Sequence, residues 1–242
     1  MITHFMRKAY VCLLVASILF LASCHKDPGT FAIRFQPKFG SADLKLNTTY
    51  NTPDGKYLNF SSLGLYLSHI KLVRTDNSTV EVDSAVLFVY ADHSYTINLK
   101  AVNGSYKGVQ FGIGLDSAQN SIDPSTVPSN DPVFLNNALW WDVSRLHLFT
   151  QMEGHSGTSS NLGGTFFYHV GTDAMYRSAM VTKSFSISEG QSTSLVLNAD
   201  LEKIFYGANA VNVITAPATH TTDYPAVAIT VADAFSQSFS LQ

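Results

Sequence analysis

Hydrophobic and polar positions alternate with a period of two along most of the chain, as expected of β-strands whose side chains point to opposite faces. The run over residues 63–74 is the strongest. Leu63, Leu65, Leu67, His69, Lys71 and Val73 share one face, and Tyr66, Ser68, Ile70 and Leu72 share the other. Both faces are largely apolar, which places this strand inside a sandwich or under a covering element. An imidazole in mid-run must then be satisfied by a neighbour or have a job. Residues 31–35, 44–46, 79–82, 85–90, 95–99 and 104–114 read as further strands, and Pro53 and Gly55 mark a turn over 52–55. The periodicity stops from Asp116 to Asn137, where Pro124, Pro128 and Pro132 are interleaved with Asp, Asn and Ser. A span of this length is either a binding loop or a solvated connection.

One strand is expected from Leu139 through Trp140 and Trp141 to Glu153, followed by a loop from Gly154 to Gly164 and a strand over 165–170. Residues 181–187 and 193–197 read as a hairpin turning at Glu189 and Gly190. A short helix is expected over 201–206, capped by Asp200 or Asn198 and ended by Gly207, while 226–233 suits helix or strand. The predicted fold class is all-β, a single mostly antiparallel β-sandwich with one or two short helices.

The amino terminus changes the picture of where this domain works. Arg7 and Lys8 precede an apolar run over 9–20, too short to span a bilayer, and Leu21, Ala22 and Ser23 lead to Cys24. This pattern predicts a lipoprotein signal over residues 1–23, lipidation of Cys24, a tether over 24–30 and a domain over 31–242. The expected location is the bacterial cell envelope, lipid-anchored in the outer membrane on its periplasmic or surface face. The other cysteine, Cys12, departs with the signal, so no disulfide, cysteine nucleophile or thiolate metal site is expected. The mature chain keeps 13 basic against 18 acidic side chains, a formal charge of −5, with no basic stripe to attract a nucleic acid.

Candidate chemistry centres on the histidines. His69 and His169 each fall within a strongly apolar strand, and imidazoles from neighbouring strands can converge on one ion when they share a face. Taken singly, each also reads as a hydrogen-bonded core or edge histidine. A third donor would be needed, from Met175, His220 or a water. His147 alternates with Arg145 and Glu153 on the polar side of its strand and is expected to face solvent. Gly154, His155, Ser156 and Gly157 lack the spacing of a nucleophile elbow, and Glu81, Glu153, Glu189 and Glu202 are a thin supply for a glycosidase pair. The expectation is therefore a protein that is not an enzyme. Asp116 and Asn120, with Asp123, offer oxygens to calcium, although an Asx turn accounts for the same residues. A second reading is a surface binding module for carbohydrate or protein, using the 116–137 loop with Trp140, Trp141, Asp116 and Asn120 and no metal.

Several segments together resemble the methanobactin-associated periplasmic protein (MbnP-like) family of copper-binding β-sandwich proteins, which includes copper-repressible surface proteins of methanotrophs. The carriers are Tyr66 to Ile70, Phe111 to Ser117 with Asn120, Leu139 to Trp141 leading to Met152 to Gly154, Phe167 to Gly171, Ala199 to Phe205 and Val231 to Phe235. The resemblance implies a β-sandwich that binds copper for uptake, storage or delivery, with His169 where relatives place a histidine and His69 in the strand that carries other ligands. It also implies a dihaem peroxidase-like partner, which in the family oxidises a tryptophan ligand to kynurenine. Leu67 stands two residues before His69, so no kynurenine can form there; Trp141 matches a tryptophan of the family's aromatic segment.

Overall fold

The computed structural model describes residues 29–90, 95–134, 139–142 and 146–242. In chain order the strands are β1 (Thr30–Phe39), β2 (Ala42–Asp43), β3 (Thr49–Asn51), β4 (Tyr57–Arg74), β5 (Thr79–Tyr90), β6 (Tyr95–Leu99) and β7 (Gly104–Ile113). Helix α1 (Ser117–Asn120) precedes β8 (Trp140–Asp142), β9 (Leu146–Gly157), β10 (Gly164–Gly171), β11 (Arg177–Ile187) and β12 (Ser192–Asp200). Helix α2 (Glu202–Phe205), β13 (Ala218–Thr219), α3 (Pro225–Ser236) and β14 (Phe239–Leu241) complete the order. The all-β sandwich expected from the alternation is the fold observed. One sheet is built on β1, which lies between β12 and β6 and also pairs with β2, with β14 outside β12. The larger sheet is built on β4.

β4 binds β5 and β3 along one edge, and β7 and β9 along the other. Leu67 to Arg74 pair with β7, whereas Tyr57 to Leu65 pair with β9, so β7 and β9 lie end to end beside one strand. β11 pairs with β7 and β10 with β9, which continues the same division one strand further out. All these pairs are antiparallel; β1 with β12 and β10 with β13 run parallel.

The predicted alternation of β4 holds only as far as Leu67. His69 and Ile70 together oppose the single residue Phe111 of β7, a β-bulge that advances the register by one. Ile70 and Leu72 therefore continue the face begun by Leu65 and Leu67, and all four are buried. That face looks between the sheets: Phe88, paired with Leu65, packs on Phe35 of β1 at 4.7 Å between ring centroids. Aromatic rings fill much of the core, with Phe60 set against Phe39, Phe166 and Phe205.

Two other expectations are corrected, and residues 44–46 form no strand, the short strand β2 ending at Asp43. β11 and β12 do not form a hairpin, because the chain crosses at residues 188–191 from the β4 sheet to the β1 sheet. Crossing sets the apolar sides of the two strands to face one another through the core and supplies β1 with its parallel partner, which a hairpin would not. The single strand expected over 139–153 is two, β8 folded antiparallel on β9, and β9 runs on through His155 rather than ending at Glu153. The ambiguous segment near the carboxyl terminus is helix α3, opened by Pro225 at its first turn and burying Ala228, Val231, Ala232 and Phe235 at helical spacing. The short helix expected at 201–206 is present as α2, with Asp200 accepting from the Glu202 amide at 3.2 Å.

Phe60 is fully buried at the meeting of both sheets and α2. Phe60→Ala is expected to lower the unfolding free energy by about 3–5 kcal/mol, read as a shift of the urea midpoint at unchanged slope; a change below about 1 kcal/mol would place the core elsewhere.

Candidate functional site

The outer face of the β4 sheet carries the polar side chains. His169 on β10 pairs across β9 with Gln151, which pairs with Gly64 of β4, and Glu153 and Phe167 occupy the neighbouring paired positions. By strand alternation these residues point outward together. His169 Nε2 lies 2.7 Å from Glu153 Oε1, and Gln151 donates to the same oxygen at 2.7 Å. Burial acts to raise the Glu153 carboxyl, but the hydrogen bonds from Gln151 and His169 outweigh it and hold it below the usual carboxylate range.

A second imidazole arrives from the other side. β13 pairs parallel with Phe167 and Tyr168, and the next residue is His220. Its ring centroid lies 5.2 Å from that of His169 and 4.6 Å from Phe167. Trp141 completes the surround at 5.9 Å from His220 and 6.3 Å from His169. An open cleft of about 370 Å³ runs over Glu153, His155, Phe167, His169 and His220.

The loop after β13 is held under strain. Thr221 adopts φ of +66°, unusual for a β-branched residue, and is buried. Its hydroxyl donates to the carbonyl of His169 at 2.8 Å and accepts from the Gly171 amide at 2.9 Å, tying the His220 loop to the strand that carries His169. Tyr168, whose hydroxyl is pushed well up by burial, donates to the carbonyl of Ala216 at 2.8 Å and fixes the approach to β13.

His69 does not join His169. It lies about five residues further along the sheet and two strands away, on the order of 15 Å or more. The β4 bulge puts His69 at φ +47° and turns its ring to two carboxylates, Glu81 Oε1 at 3.0 Å from Nδ1 and Asp116 Oδ2 at 2.8 Å from Nε2. Both ring nitrogens are thus engaged. Burial works against the charged ring, but the bonds to Glu81 and Asp116 prevail and raise its pKa.

Asp116 and Asn120 do not form an oxygen cage with Asp123. Asp116 caps α1 through the Gln119 amide, Asn120 is buried and donates to Asp173 at 2.9 Å, and Asp123 caps the turn at 124–126. The Asx-type capping alternative accounts for these residues. His147, expected at the surface, is fully buried, with Asn120 and the Val133 carbonyl each at 3.3 Å from its ring. Burial lowers its pKa. The 116–134 segment is packed as a cover, since Tyr66 also donates to the Pro132 carbonyl at 2.8 Å. Trp140 lies against His147 at 4.9 Å and Trp141 against the two site histidines, so the pair forms no shared flat platform. Met175 is buried in the turn after β10. Cys24, His25 and His93 lie outside the described residues.

The MbnP family model matches residues 28–223. The chain belongs to the MbnP family. A solved structure, MbnP from Methylosinus trichosporium, superposes on this MbnP-family chain with a TM-score of 0.57 at 14% identity, covering 89% of this chain and 98% of the other. That likeness shows a shared fold. No curated protein sequence matches the chain.

Among the described residues no group of three or more His, Cys, Asp or Glu side chains is placed as a ready-made metal cage. The arrangement at His169 and His220 nevertheless suits an ion that favours imidazole. Two imidazoles, each about 2.0 Å from a shared ion, would have ring centroids on the order of 5 Å apart, as these are. Each also has a carboxylate on one nitrogen, Glu153 for His169 and Asp223 for His220, leaving the other nitrogen available. His220 carried only a weak signal in the sequence, because its neighbours Thr219 and Thr221 look like ordinary loop.

The His69 contacts carry a pH signature. Its folded pKa exceeds the unfolded value, so their stabilisation is complete below the unfolded value of about 6.5 and is lost as pH rises through the raised folded value. His69→Asn, which tolerates the positive φ, is expected to cost about 1 kcal/mol at pH 5.5, after discounting for the exposed carboxylates, and less at pH 8.5. Urea unfolding of both proteins at both pH values measures this, and the difference removes the opposite contribution of His147, whose lowered pKa weakens the fold as pH falls. An equal cost at both values would show that the imidazolium contributes nothing.

Proposed function

We propose that this MbnP-family protein is a lipid-anchored envelope protein that binds a metal ion, copper, for uptake, storage or delivery, and that it is not an enzyme. The supporting observation is the pair His169 and His220, 5.2 Å apart between ring centroids, each held by a carboxylate and flanked by Trp141. His169 and His220 would supply the nitrogen donors within one cleft, each through the nitrogen that its carboxylate leaves open, with Glu153 and Asp223 orienting the rings from outside. Neutral imidazoles suit copper without any thiolate, which agrees with a mature chain whose single cysteine, Cys24, is assigned to the lipid. When bound, the ion would supply a redox-capable centre; the chain's residues hold it, orient its ligands and limit water on the Trp141 and Phe167 side.

Lipidation at Cys24, outer-membrane anchoring and a dihaem peroxidase-like partner belong to this same reading, supported by the leader pattern and by the family resemblance. The exposed cleft leaves the site reachable by such a partner. His69 has no part in metal binding here, because both of its nitrogens are already bound to carboxylates.

Titration of Cu(I) and Cu(II) into residues 25–242 is expected to show stoichiometric binding, abolished in the His169→Ala, His220→Ala double variant and kept in His69→Ala. Affinity should fall at pH 5, where the ligands must first lose protons. Binding indifferent to the double variant, or lost with His69→Ala, would sink this assignment.

A further inference from the structure

One carboxylate closes the loop that delivers His220. Asp223 Oδ1 accepts from the backbone N–H of His220 at 2.7 Å and of Tyr224 at 2.8 Å, and lies 3.3 Å from the Thr219 hydroxyl. Its other oxygen, Oδ2, is 3.1 Å from Nδ1 of His220. An ionised carboxylate can only accept hydrogen bonds, so its partner on the imidazole must be an Nδ1–H. In the neutral ring the lone pair then resides on Nε2.

The same loop is anchored to the carbonyl of His169 through Thr221, so position and tautomer are set within one short segment. We propose that Asp223 is a positioning residue: it holds neutral His220 as the Nδ1–H tautomer and leaves an unprotonated Nε2 to take a metal ion beside His169. This inference rests on the metal-binding reading above and adds to it which nitrogen of His220 is used and what selects it.

Asparagine separates the two tasks that Asp223 performs. Its carbonyl oxygen can keep the amides of His220 and Tyr224, which turns its NH2 toward Nδ1 and moves the ring proton to Nε2. An incoming ion would then have to displace that proton. Removing such an outer partner changes metal affinity by roughly 10–100-fold.

The test uses the wild-type protein and Asp223→Asn, both labelled with ¹⁵N-histidine. Long-range ¹H–¹⁵N spectra without metal at pH 8 are expected to show His220 as Nδ1–H in the wild type and Nε2–H in the variant. Cu(II) titration is expected to show roughly 10–100-fold weaker binding by the variant with an unchanged far-UV CD spectrum. The wild-type spectrum tests the tautomer even if the variant does not fold. A wild-type Nε2–H tautomer, or a folded variant with wild-type affinity, would overturn the role of Asp223. A wild-type protein that takes up no Cu(II) would instead overturn the metal-binding reading and this inference with it.

Discussion

One edge of β4 has to serve two strands. β7 occupies it from Arg74 up to Leu67 and β9 from Leu65 up to Tyr57, so the chain must leave the sheet between Ile113 and Leu146 and return in line with where it left. Close packing leaves no room for that excursion between the sheets, and its described residues, 114–134 and 139–142, lie over the outer face. There it buries Tyr66 and His147, and it ends in β8, whose Trp141 emerges beside the histidine pair. Without the end-to-end strands there would be no cover, and one wall of the site would be absent.

The site itself depends on two short-range devices laid over that framework. Parallel pairing of β13 with β10 brings His220 alongside His169, and the strained Thr221 locks the two backbones together through hydrogen bonds that compensate its unfavourable φ. Carboxylates from different directions, Glu153 on the sheet and Asp223 in the loop, then fix the rings. A flat sheet face is converted in this way into a pair of oriented donors beside aromatic walls.

His69 shows how similar components can give a different result. It too has carboxylates on its ring, but they take both nitrogens, joining the β4 bulge to β5 through Glu81 and to the start of the cover through Asp116. Lys71 lies 3.6 Å from the second oxygen of Glu81, which makes the junction a small surface network and not a vacant donor site. An imidazole with both nitrogens engaged acts as a fastener, whereas His169 and His220 each show a carboxylate on one ring nitrogen.

Local periods are legible in the chain without its fold: most strands, the Thr52 to Gly55 turn, helix α2, the sandwich class, the family, and the standing of His169 as a polar group in an apolar strand. These are legible because a strand's pattern of two and a turn's need for Pro or Gly are properties of neighbouring residues. Tertiary structure alone decided that the partner of His169 is His220 and not His69, that β11 and β12 belong to different sheets, and that His147 is buried. The reason is physical. Alternation assigns a side chain to a face only while register is unbroken, and the bulge at His69 resets it; pairing between distant strands, and the cover laid over them, depend on contacts that no local pattern encodes.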